Sequence, residues 1–108
     1  MAVEACFDHM IEMKFPVTET DEPGRELQTY ATRLGPDGME LDGRHVPPKR
    51  YTWLSFEIPG ADHPVKALAE VVGVLAVDGA NRVLVRFKHL FPRDRQALVG
   101  FVSARAAA

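Results

Sequence analysis

Between Phe7 and Val17 the chain reads FDHMIEMKFPV, and the period of that stretch is two. Phe7, His9, Ile11, Met13, Phe15 and Val17 fall on one side, and Asp8, Met10, Glu12 and Lys14 on the other. Strict alternation over this length describes a strand with one buried face, because successive side chains of an extended backbone point in opposite directions. The same period returns several times along the chain, each time after a turn signal. TETDEPG, ending at Gly24, leads into GRELQTYATRL, where Leu27, Thr29 and Ala31 share a face. Gly-Pro-Asp-Gly at 35–38 breaks the pattern, and Met39 and Leu41 mark a short third strand.

After DGRHVPPKR, too rich in Pro and Gly for regular structure, YTWLSFEI (51–58) gives a fourth strand with Leu54, Phe56 and Ile58 inward. VKALAEVVGVLAV contains good helix formers. Gly73 and the valines weaken a helix, however, and the neighbouring segments already form a meander, so it reads as a strand. Asp78-Gly79 is a hairpin signal, and in NRVLVRFKHL the residues Val83, Val85 and Phe87 alternate with Leu84, Arg86 and Lys88. Past Pro92 the period becomes helical: Leu98, Phe101, Val102 and Arg105 share a face, and Pro92 and Asp94 suit a helix start. The expected fold is therefore mainly β: six short antiparallel strands closed into a small barrel, with one C-terminal helix over its mouth or side. It is expected to form one domain across residues 1–108, with 103–108 as a fraying tail.

Bulk properties narrow the function classes. A chain of 108 residues, 46% hydrophobic and 26% charged, has the composition of a globular protein. A formal net charge of −2 argues against a dedicated nucleic-acid or membrane binder. No apolar run reaches the roughly 18 residues of a membrane span. MAVEACFDHM lacks the basic-then-apolar order of a secretory signal, and Cys6, the single cysteine, cannot form an internal disulfide, so a cytoplasmic location is expected.

The stretch VLVRFKHLFPRDRQALVGFV (83–102) resembles the closing strand and C-terminal helix of PilZ domains. The resemblance is carried by Val85-Arg86-Phe87, Leu90, Pro92, Asp94-Arg95, Leu98 and Phe101-Val102. YTWLSFEIPG followed by VKALAEVVGV is similar to that family's hairpin in the same order, so the likeness spans about residues 7–102. It implies a six-stranded barrel with a C-terminal helix. It also implies a link to the second messenger cyclic di-GMP, which members bind through R-x-x-x-R at the first strand and [D/N]-x-S-x-x-G after the second.

Measured against those two signatures, this chain is degenerate. Gly38 fits the last position of the second, but Gly35 stands at the serine and Arg33 at the Asp or Asn. No arginine precedes Arg25, and Lys14 is the basic residue of the first-strand region. Paired guanidinium forks grip phosphate and stack on guanine in a way lysine does not. Each charge-assisted hydrogen bond lost is worth about 1.5–3 kcal/mol, so losing two weakens binding on the order of a hundred- to ten-thousand-fold. The expectation is a PilZ-like adaptor without cofactor, acting on another protein in bacterial motility, type IV pili or cell polarity. The alternative is a cyclic di-GMP receptor with substituted ligands, namely Arg33, Gly35, Gly38 and Arg50, with Arg44 and Lys49 nearby.

Other constellations read more plainly. Cys6, His9, His45, His63 and His89 lack paired zinc-ligand spacings, so no metal is expected. Ser55, His63 and Asp62 would make a triad on paper, but no nucleophile-elbow turn accompanies them, and no enzyme is expected. Asp8, Glu12, Glu19, Asp21 and Glu22 read as a solvated edge and loop. Arg82, Arg86, Lys88, Arg93 and Arg95 read as a basic surface serving solubility and edge protection. Tyr51 and Trp53 point away from the face of Leu54, Phe56 and Ile58, and admit two readings. The C-terminal helix packs on Trp53, the reading favoured, or the pair is exposed beside Lys49 and Arg50 as the centre of a protein interface.

Overall fold

A computed structural model of the chain describes residues 10–20, 24–42, 50–77 and 79–107. Six antiparallel strands close into a barrel: β1 (Ile11–Thr20), β2 (Glu26–Leu34), β3 (Gly38–Asp42), β4 (Tyr51–Phe56), β5 (Val65–Val77) and β6 (Ala80–Leu90), in the spatial order β1-β2-β3-β6-β5-β4. The alternation seen in the sequence is the inside–outside alternation of the barrel wall. Phe15 and Val17, Ala31, Met39 and Leu41, Leu54 and Phe56 all point inward and are buried. Phe56 stands at the centre of an aromatic file, 5.7 Å from Phe15 and 6.1 Å from Phe87 between ring centroids.

β5 is the element on which propensity and pattern disagreed, and pattern prevails. Val65, Ala67 and Ala69 are fully buried at alternate positions, and the strand is hydrogen-bonded to β4 on one side and β6 on the other. Tertiary pairing outweighs helix preferences worth tenths of a kcal/mol per residue. β1 runs to Thr20, so Thr18–Thr20, expected in the turn, are strand residues. They are the residues that close the barrel, pairing with Trp53–Ser55. Leu27 lies on the outer part of β2 and is 40% exposed, unlike its expected face-mates Thr29 and Ala31. Val77 pairs with Ala80 across a two-residue turn, for which Gly79 supplies the positive φ of 79° that a side chain would resist.

The helix α1 (Pro92–Ala107) packs against β1 and β5 and adds Leu98 and Val102 to the core. Ala97 and Phe101 lie partly buried beside them, and the Arg105 guanidinium lies over the Phe101 ring at 5.7 Å. α1 extends to Ala107, past the point where a fraying tail was expected, in keeping with alanine's high helix propensity. Where α1 sits corrects one expectation. It does not cover Trp53, which is 46% exposed. A second correction concerns Glu19, read as solvated. It is 4% exposed and accepts a hydrogen bond from the Thr52 hydroxyl at 3.0 Å, because Glu19 has the inward parity of Phe15 and Val17.

Leu98 has no exposed surface and joins α1 to the barrel core, so Leu98→Ala is expected to cost about 2–5 kcal/mol of stability in urea denaturation. Ser103→Ala, on the exposed side of the same helix, should stay within about 0.5 kcal/mol of the parent.

Candidate functional site

The hairpin turn between β2 and β3 is fastened from within. The Gly35 amide donates to the Gly38 carbonyl at 2.9 Å, and the Asp37 carbonyl accepts the Phe87 amide of β6 at 2.8 Å. The Asp37 carboxylate lies 3.7 Å from Arg95 of α1. Gly35 and Gly38 are both buried. These backbone groups of the turn are therefore engaged by neighbouring elements.

From this turn a band of charge runs around the outside of the barrel. Arg33 and Glu40 are register partners on β2 and β3, one step back from the turn on either side. The Arg33 Nε and Nη2 groups donate to one Glu40 oxygen at 3.1 and 2.6 Å, while the Thr32 hydroxyl donates to the other at 2.9 Å. Arg82 of β6 approaches the same carboxylate at 3.8 Å. The second cluster is centred on Glu70 of β5, which has outward parity yet is 2% exposed. Arg86, its register partner, donates to one oxygen at 2.5 Å, and Arg50 Nε donates to the other at 2.5 Å, with Arg50 Nη2 paired to that oxygen as well. These bonds, Arg86's first and then Arg50's, hold the Glu70 carboxyl below its ordinary pKa. Charge-assisted bonds of this kind are the condition on which a carboxylate can be this buried.

The four residues expected to replace the missing signature lie along this band, Gly38 being the register partner of Arg86, which shares Glu70 with Arg50. Arg33 is held by Glu40, Arg50 by Glu70, and Gly35 and Gly38 are buried. The expectation that Arg86 serves edge protection is corrected: β6 lies between β3 and β5, and Arg86 holds Glu70. Lys88 on the same strand is exposed. Glu40 and Glu70 were missed. Glu40 was legible, since a four-residue turn places it opposite Arg33. Glu70 needed the register of three strands.

Beside the Glu70 cluster, Tyr51 and Trp53 stand on the outer face of β4, 45% and 46% exposed. The Arg50 guanidinium lies over the Tyr51 ring at 5.6 Å, and Leu68, half-buried, is the register partner of Trp53. Of the interface residues named from the sequence, Lys49 lies outside the described residues, as do Arg44, Cys6, His9 and His45.

Ser55, Asp62 and His63 line one groove of about 710 Å³, with Phe56, Ile58 and Pro16 among its walls. They are not arranged as a triad. His63 Nδ1 is 2.5 Å from Asp62 and Nε2 is 2.9 Å from Asp94, so both ring nitrogens are engaged by carboxylates and neither serves Ser55. Asp94, buried at the start of α1, also accepts the Lys66 amide at 3.3 Å, which makes His63 a clasp between the β4–β5 turn and the helix. Hydrogen bonds from His63 to Asp62 and Asp94 raise its pKa, and the Asp62 pKa is lowered by the same contact. Among the described residues no three His, Cys, Asp or Glu side chains converge on a metal-sized site. No described helix is long and apolar enough to cross a membrane.

Because the His63 pKa is raised in the folded chain, its contribution is complete below the unfolded value and is lost as pH rises through the folded one. Thermal midpoints from pH 5.5 to 8.5 (range on the order of the histidine value) should fall across that window in the parent and stay flat in His63→Gln. The opposite sign holds for Glu70, whose lowered pKa predicts loss of stability as pH falls into the carboxylate range, a loss reduced in Glu70→Gln.

No family model matches the chain, and no curated protein matches it significantly. Solved structures do. The Bacillus subtilis inhibitor of motility (MotI/DgrA) superposes with a TM-score of 0.77 at 14% identity, over 91% of this chain and 49% of that one. The chain thus spans about half the length of that protein. The PilZ domain of CeSA from a cellulose-synthesizing bacterium matches with a TM-score of 0.62 at 13% identity, over 91% of this chain and 98% of the domain. MrkH of K. pneumonia matches with a TM-score of 0.54 at 12% identity, over 90% of this chain and 48% of that one. A closed six-stranded antiparallel barrel with a C-terminal helix among its described residues, the chain has the fold of a PilZ domain.

Proposed function

We propose that the chain is a non-enzymatic regulator that has the PilZ fold, does not bind cyclic di-GMP, and acts by docking to another protein. The observation that carries this reading is the occupation of both substitute arginines. A phosphate at Arg33 or Arg50 would compete with Glu40 or Glu70 for the guanidinium, weakening an ion pair on a nearly buried carboxylate. Cyclic di-GMP brings two phosphates and would face that cost at each. No arginine precedes Arg25 to supply the R-x-x-x-R fork.

Docking is assigned to the outer face of β4, where Tyr51 and Trp53 stand exposed two residues apart with Arg50 over Tyr51. Aromatic residues flanked by arginine are the composition of interface centres, because they bury much surface at little entropy cost. Lys49 adjoins them in sequence. The fold shared with an inhibitor of motility supports a role in bacterial motility, within the cytoplasm, with type IV pili and cell polarity as related settings. One observation favours the second reading, a cyclic di-GMP receptor: the Arg50 side chain, though paired with Glu70, is 70% exposed.

Calorimetric titration with cyclic di-GMP is expected to give no binding up to about 100 μM, a range that covers any micromolar site. A micromolar isotherm abolished by Arg33→Ala would establish the second reading instead. Trp53→Ala should lose a protein captured from lysate by the parent chain while its thermal midpoint stays within a few degrees. A Trp53→Ala chain that unfolds would place the residue in the fold rather than in an interface.

A further inference from the structure

The β5–β6 hairpin outruns the barrel it belongs to. β4 pairs with β5 from Val65 to Glu70, and β3 pairs with β6 from Arg82 to Arg86, yet β5 and β6 remain paired to each other out to Val77 and Ala80. On the β4 side the described backbone reaches its last contact at Val71, whose amide donates to the Arg50 carbonyl at 2.7 Å. Residues 72–77 therefore form an edge on which, among the described residues, no strand is laid. Their sequence is Val-Gly-Val-Leu-Ala-Val, without charge or proline. Edges left in solvent are ordinarily blunted by lysine, proline or an inward charge, since their unpaired N–H and C=O groups are a template for another strand. Val74 and Leu75, consecutive and hence on opposite faces of the hairpin, are 47% and 44% exposed.

That arrangement is self-complementary. We infer that the edge of residues 72–77 pairs antiparallel with the same edge of a second copy of this chain, joining two barrels through a continuous sheet. A two-fold axis normal to the sheet keeps each side chain on its own face, so an axis at Leu75 sets Leu75 opposite Leu75 of the second copy on one face, and Val74 opposite its Ala76 on the other. Directly opposed residues of antiparallel strands share a face, so both exposed side chains are covered at once. The same axis sets Gly73 against Val77, and residues 73–77 are all uncharged, so no like charges meet. An isologous contact of this kind closes at two copies and leaves no growing edge. The ladder is short, which makes the association a weak one.

Sedimentation of the full chain across about 1 μM to 1 mM tests this, read together with amide hydrogen exchange of residues 72–77. The expected result is a shift from the 12.0 kDa monomer toward twice that mass as concentration rises, with slower exchange at 72–77 in step. Val74→Lys and Leu75→Lys should each weaken the association at least tenfold while keeping the thermal midpoint. Leu27→Lys, on an exposed apolar residue of β2, should leave it unchanged. A chain that stays monomeric with residues 72–77 already protected would mean its own residues 43–49 cover the edge, and would overturn the inference. So would a monomer whose edge becomes protected only on adding another protein. Equal weakening by Leu27→Lys would reduce the association to general stickiness and overturn it as well.

Discussion

A barrel of six strands leaves room inside for side chains and nothing else, so each inward position must be filled by a residue that fits. Here the filling is graded. Phe15, Phe56 and Phe87 form a file of rings, and the small Ala31, Ala67 and Ala69 are fully buried beside larger residues. The pairing of Thr18–Thr20 with Trp53–Ser55 closes the circle. Without it β1 and β4 would both be open edges. Pro16, which has no amide to offer, sits in the part of β1 that β4 does not reach, a position an edge tolerates.

Once the wall is closed, its outside inherits a fixed geometry, and charge is placed accordingly. Glu40 and Glu70 have outward parity but are nearly buried, because arginines from adjacent strands lie over them. A phosphate that drew these arginines away would leave a nearly buried carboxylate with fewer partners. Arg33 is paired with Glu40, and Arg50 and Arg86 with Glu70. Beside them Tyr51 and Trp53 stand exposed on the outer face of β4.

The molecule also divides its apolar exposure unevenly. α1 and the His63 clasp bind the helix to the β4–β5 turn, where Asp94 is satisfied by both an imidazole and a backbone amide. The β5–β6 hairpin, by contrast, carries Val74 and Leu75 into solvent on opposite faces.

The strands, the turn at Asp78-Gly79, the change to helical period after Pro92 and the inward faces were legible from the sequence alone. Each follows from local periodicity and from residues whose backbone preferences do not depend on distant neighbours. Even the likeness to PilZ domains rests on such short-range pattern. What only tertiary structure decided were relations between strands far apart in the chain. Whether Trp53 lay under α1, whether Glu19 met water, and which carboxylate claimed Arg33, Arg50 or Arg86 depended on register and on where the helix came to rest. A cross-strand ion pair has no signature in one strand's sequence, since its partner is set by barrel closure. Parity told which residues face outward; closure alone decided which of those became buried.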